Sequence, residues 1–169
     1  MKQILLAIVL VLGGMSVQAQ KLSRKEREAI QSQEVKAQLD SGVFTFEARS
    51  AQPMSGRQIE LTSEYTLSLN GDSIEVYLPY FGRAYSAPYG GQGGIEFKTL
   101  MVSNKKIYKE KKSCYQYDIE VATSDDRYSL QLTVGLSGFA NLSVRSNNRQ
   151  SIGFQGTILL EETTEDVSK

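Results

Sequence analysis

Residues 65–78 read YTLSLNGDSIEVYL. Tyr65, Leu67 and Leu69 alternate with polar residues up to Asn70-Gly71, and Ile74, Val76 and Leu78 alternate away from it. A period of two belongs to a strand with one face in a core, and Asn-Gly tolerates the positive φ angles of a type I′ turn. The stretch therefore predicts a β-hairpin. It also sets the phase in which the rest of the chain is read.

The same period extends in both directions. Upstream, Phe44, Phe46 and Ala48 alternate with Thr45, Glu47 and Arg49, then Pro53, Ser55 and Gly56 break the chain, and Ile59 with Leu61 suggests a short second strand. Downstream, strands are expected over 95–101, 104–110, 115–122 and 127–136, the last two flanking an Asp125-Asp126 turn. Leu142 and Val144 mark another strand, Asn147-Asn148 a turn, and Ile152, Phe154, Ile158 and Leu160 the last strand. Residues 20–42 hold the one helix, read over 22–40. Ser23 and Glu26 have capping-box spacing, and Gly42 is a natural stop. Its apolar stripe is thin, with Ala29, Ile30 and Ala37 on one side and Val35 and Leu39 on another, so it suits weak packing or plugging of an opening, with a partly mobile helix as the alternative. The expected fold is all-β, mainly antiparallel, with one N-terminal helix: a single domain over 43–160. A small meander barrel, lipocalin-like in architecture, is favoured, with a two-sheet sandwich as the alternative.

The two ends read differently. Lys2, the apolar run Ile4–Leu12 and Val17-Gln18-Ala19 form a signal-peptide pattern over 1–19. No cysteine stands near that cleavage site, so the expected product is a soluble periplasmic or secreted protein, not a lipoprotein and without an integral membrane segment. Residues 161–169 read as an acidic, disordered tail.

Nineteen basic residues balance nineteen acidic ones, which argues against nucleic acid as a partner. There is no histidine, so the usual neutral-pH base and commonest zinc ligand are missing. No catalytic residue, metal site or cofactor is expected. Cys114 is the only cysteine, so no intramolecular disulfide can form. A lone thiol is usually buried, yet the alternation puts Cys114 on the face of Gln116, Asp118 and Glu120, opposite Tyr115, Tyr117, Ile119 and Val121. Lys105, Lys106, Lys109, Lys111 and Lys112 suit an edge strand protected against aggregation, with contact to anionic glycan or lipid head groups as the competing use.

The candidate site follows the hairpin directly. Residues 76–95 read VYLPYFGRAYSAPYGGQGGI, with five aromatics, five glycines and a single internal cation, Arg83. Tyr77, Tyr80, Phe81, Arg83, Tyr85, Tyr89, Gly90 and Gly91 are the candidate ligand-binding residues. Tyrosine offers flat apolar area with a polar tip, glycine allows close approach, and Arg83 suits a carboxylate or phosphate. The other reading is structural: the tyrosines fold back to cover one end of the core. Both stay open.

The YLPYFGRAYSAPYGG motif at 77–91, the preceding SLNGDSIEVYLP and the closing GFQG resemble a family of small secreted bacterial proteins carrying domain of unknown function 4251. The resemblance covers nearly the whole chain after residue 19. It implies a periplasmic or secreted β-rich domain and implies no activity. The leading functional expectation is a non-enzymatic binding protein for an unknown small molecule, with the 77–94 loop as pocket or rim. A cell-envelope protein–protein interaction module is the second reading. A hydrolase using Glu75 and Glu96, which flank the loop, ranks third.

Overall fold

The computed structural model describes residues 23–54, 56–85 and 93–160. The expected signal peptide and acidic tail lie outside the described residues. Helix α1 (Arg24–Ser41) precedes nine strands. These are β1 (Val43–Pro53), β2 (Ile59–Asn70), β3 (Ser73–Leu78), β4 (Ile95–Leu100), β5 (Ser103–Lys109), β6 (Cys114–Ala122), β7 (Arg127–Gly135), β8 (Phe139–Ser146) and β9 (Ile152–Leu159).

The hairpin forms, with a different turn. Asn70 pairs with Ser73, so Gly71 and Asp72 are the central residues, and only Gly71 has positive φ, at 60°. This is the type II′ pattern, with glycine first, in place of the expected type I′. The register explains the choice. It sets Leu69 opposite Ile74 and Leu67 opposite Val76, apolar against apolar. A turn centred on Asn70-Gly71 would set Leu69 opposite Asp72.

All nine strands form one antiparallel sheet in the order β4-β3-β2-β1-β9-β8-β7-β6-β5. Every neighbour is sequential except β1 and β9, the first and last strands, whose pairing is the one a meander barrel requires. The sandwich alternative therefore does not apply. Barrel closure is also incomplete, because β4 and β5 are the two sheet edges. Only Met101 and Val102 separate them, and no ladder joins β4 to β5, so these two residues form no hairpin and the chain runs on in line. The Met101 amide donates to Asp72 O at 2.9 Å and the Val102 amide to Glu120 O at 2.8 Å. One long bent segment thus pairs with β3 through its first half and with β6 through its second. The result is a curled half-barrel with both edges meeting at that corner.

The concave side holds one core, in which Phe46, Leu67, Tyr117, Leu132 and Phe154 are fully buried. Strand β1 changes phase within it. Phe44, Phe46 and Ala48 point inward, then a register shift between Ala48 and Ser50 moves the inward set to Ala51 and Pro53. The extra residue, Arg49, faces solvent and pairs with Glu47 at 2.9 Å. Against β9 this is a β-bulge. Against β2 the same shift spans two residues of β1 but runs from Tyr65 back to Glu60, so residues 61–64 have no β1 partner, while β2 continues through the region where a separate short strand was expected. Gly156 sits opposite the bulge, and a Cβ there would collide with the Glu47 carbonyl.

Helix α1 has its predicted capping box: Glu26 N donates to Ser23 Oγ at 3.3 Å, and Ser23 N to Glu26 Oε2 at 2.7 Å. Its buried residues are Val35 and Leu39 alone, while Ile30 stays exposed. Polar contacts complete the docking. Gln31 Nε2 donates to Ser137 O at 3.0 Å and Gln38 Nε2 to Leu159 O at 2.9 Å, so α1 lies across one end of the half-barrel.

Cys114 is free and buried, despite its outward phase. Lys109, its cross-strand partner, donates to the Gln116 amide oxygen on the same face.

Candidate functional site

The end of the half-barrel opposite α1 carries the aromatic segment. Pro79 ends β3, having no N–H to give the ladder. Tyr80 then folds back, and its hydroxyl shares its proton between Arg83 O at 2.9 Å and Gln150 O at 3.0 Å. The Arg149 guanidinium stacks 5.2 Å from the Tyr80 ring centroid and donates to Gly94 O at 2.6 Å. Further bonds run from Gln150 N to Arg83 O at 3.0 Å and from Tyr85 N to Asn148 O at 2.7 Å. Residues 80–85 are thereby strapped to the β8–β9 connection. Burial raises the Tyr80 phenol above its ordinary value, against the lowering effects of the Gln150 bond and Arg149.

Beside this strap lies a cleft of about 330 Å³, lined by Tyr65, Tyr77, Leu78, Pro79, Tyr80, Gly93, Gly94 and Glu96. It exists because β2 outruns β3. Their ladder stops at Thr66 and Tyr77, and beyond it β3 leaves at Pro79 while β2 continues. Gly94 brings the returning chain close, since a Cβ there would meet Leu78 O at 2.9 Å. The Tyr65 and Tyr77 rings stack with centroids 5.5 Å apart at 27°. Glu96 stands cross-strand from Tyr77 on the outer face.

Of the sequence candidates, Tyr77 and Tyr80 line this cleft. Phe81, Arg83 and Tyr85 are exposed and lie outside its lining. Tyr89, Gly90 and Gly91 lie outside the described residues. Tyr65 and Arg149 carried no sequence signal for this place. Tyr65 shares the inward phase of Leu67 and Leu69, and only the end of the ladder turns it toward Tyr77. Glu75, the other carboxylate of the hydrolase reading, is cross-strand from Lys98 and paired with it at 2.7 Å.

A smaller depression of about 180 Å³ lies over β6–β8, lined by Glu120, Arg127, Tyr128, Ser129, Arg145, Ser146 and Asn147. Among the described residues, no group of three or more His, Cys, Asp or Glu side chains could hold a metal ion, and no helix is long and apolar enough to cross a membrane.

A nine-stranded antiparallel half-barrel plugged by one helix defines the class of protein. The chain belongs to the family described as domain of unknown function (DUF4251), which matches residues 26–158. A crystal structure of a DUF4251 family protein from Bacteroides eggerthii DSM 20697 has the same fold, with a TM-score of 0.61 and 17% identity over 78% of this chain and 89% of that one. No curated protein matches the sequence.

Proposed function

We propose that this chain is an exported, non-enzymatic binding protein whose ligand sits in the cleft beside Tyr77 and Tyr80. The carrying observation is the cleft itself: about 330 Å³, walled by tyrosines and floored by close-approaching glycine backbone. That volume lies within the range of small-molecule sites, about 300–1,000 Å³. Export is supported by the signal-peptide pattern at 1–19. The strap from Tyr80 to Gln150 supplies the rigid support that a binding surface needs.

The second reading, a cell-envelope protein–protein interaction module, is favoured by one observation. Leu100 and Val102, at the corner where the two sheet edges meet, are 68% and 65% exposed. Native mass spectrometry of protein purified from its own host separates the two. A retained small molecule supports the cleft reading. A stoichiometric protein partner without one supports the interaction module and overturns the first.

A further inference from the structure

We propose that the cleft receives the ammonium head of its ligand, primary or quaternary; this rests on reading the cleft as a ligand site. The charge of the lining carries the inference. Glu96 is its only ionised side chain. Glu96 is exposed and, among the described residues, forms no ion pair. The lysine two positions along β4, Lys98, is held by Glu75 on β3. Arg149 keeps its charge while its guanidinium lies on the Tyr80 ring and donates to the Gly94 carbonyl, so the Tyr80 side of the cleft is taken and the Glu96 side is the seat for a cation. The sequence from Ser86 to Gln92 contains no charged residue.

On the Glu96 side the lining also holds Tyr77, its cross-strand partner, and Tyr65, which stacks on Tyr77. Aromatic faces carry partial negative charge and attract a cation within about 6 Å of the ring centroid. A carboxylate beside them adds a Coulomb attraction of the same sign. An ammonium group therefore gains from both features of the lining at once. On the Glu96 side an anion would meet repulsion from both, and Arg83 lies outside the lining. A neutral ligand would gain ring contact and nothing from the charge of Glu96. An ammonium head can come from a lipid head group or a lysine side chain, and the recognising chemistry is shared.

The test titrates the ¹⁵N-labelled mature chain with choline and with 3,3-dimethylbutan-1-ol, its neutral isostere, reading amide shifts. The expected result is saturable shifts at Tyr65, Tyr77 and Glu96 with choline, at least tenfold weaker with the alcohol, and a tenfold loss in Glu96→Gln. Phosphatidylcholine vesicles and Nα-acetyl-lysine amide then separate a lipid source from a peptide source. Equal binding of choline and the alcohol, or an unaffected Glu96→Gln, overturns the ammonium assignment and leaves the ligand site standing. No shift from either probe, with a molecule still retained in native mass spectrometry, does the same. No shift and no retained molecule overturns both.

Discussion

The Lys106 ammonium donates to the Leu39 carbonyl at 2.8 Å, fastening the last turn of α1 to edge strand β5. The same lysine pairs with Asp40 at 2.7 Å and lies 4.8 Å from the Tyr115 ring centroid, and the Tyr117 hydroxyl donates to Leu39 O at 2.9 Å. A cation at a helix C-terminus satisfies free carbonyls and complements the helix dipole. With only Val35 and Leu39 buried, α1 depends on this clamp.

Lys106→Met should therefore loosen the helix selectively. A charge-assisted hydrogen bond contributes about 1.5–3 kcal/mol, and the partial exposure of Lys106 puts the expected loss near the low end. Hydrogen exchange should accelerate across α1 while strands β7–β9 keep their protection. Uniform acceleration everywhere would contradict the clamp.

Acid should weaken the fold through two carboxylates. Lys106 holds Asp40 below the usual carboxylate range, and amide donation from Gln131 and Gln116 does the same for Asp118. Both bind protons less readily when folded, so their contribution is present above about pH 4, the ordinary aspartate range, and fades as pH falls through their lowered values. Urea midpoints should decline on that side, and Asp118→Asn should flatten the decline. An unchanged acid slope in that variant would count against the assignment.

Gly156→Ala should destabilise strongly, because the new methyl would strike the Glu47 carbonyl at the β1 bulge. Overpacking of this kind costs about 1–3 kcal/mol or more, and backbone is the obstacle here. Urea denaturation reads the effect, and a loss below about 0.5 kcal/mol would show that the bulge can yield.

Tyr80→Phe removes the hydroxyl that ties residues 80–85 to the β8–β9 connection. Two carbonyls lose a donor, for an expected cost of about 1 kcal/mol. Exchange at the Tyr85 and Gln150 amides should rise while the Leu67 amide stays protected. Unchanged exchange at Tyr85 would show that the backbone bonds alone hold the strap.

Local chemistry made much of this fold readable. The Ser23–Glu26 box and the alternation of Tyr115–Val121 each depend on neighbours in sequence, and each forms, as does the 65–78 hairpin, though its turn falls one residue later than Asn70-Gly71 suggested. The lysine-rich strand is also an edge, as composition suggested. What stayed hidden depends on distant partners. Arg49 reads as one more outward residue, and only the step from Ala48 opposite Gly156 to Ser50 opposite Gln155 reveals the bulge. Lys106 reads as edge protection, yet it turns inward because α1 presents carbonyls there. Tyr65 joins the cleft only because the β2–β3 ladder stops one pair short of it.

The most direct test of the cleft compares ligand retention across variants of protein purified from its own host, by native mass spectrometry. A small molecule retained by the wild type and by Arg145→Ala, and lost from Tyr77→Ala with thermal unfolding unchanged, is the predicted result. The same molecule retained equally by Tyr77→Ala would contradict the account.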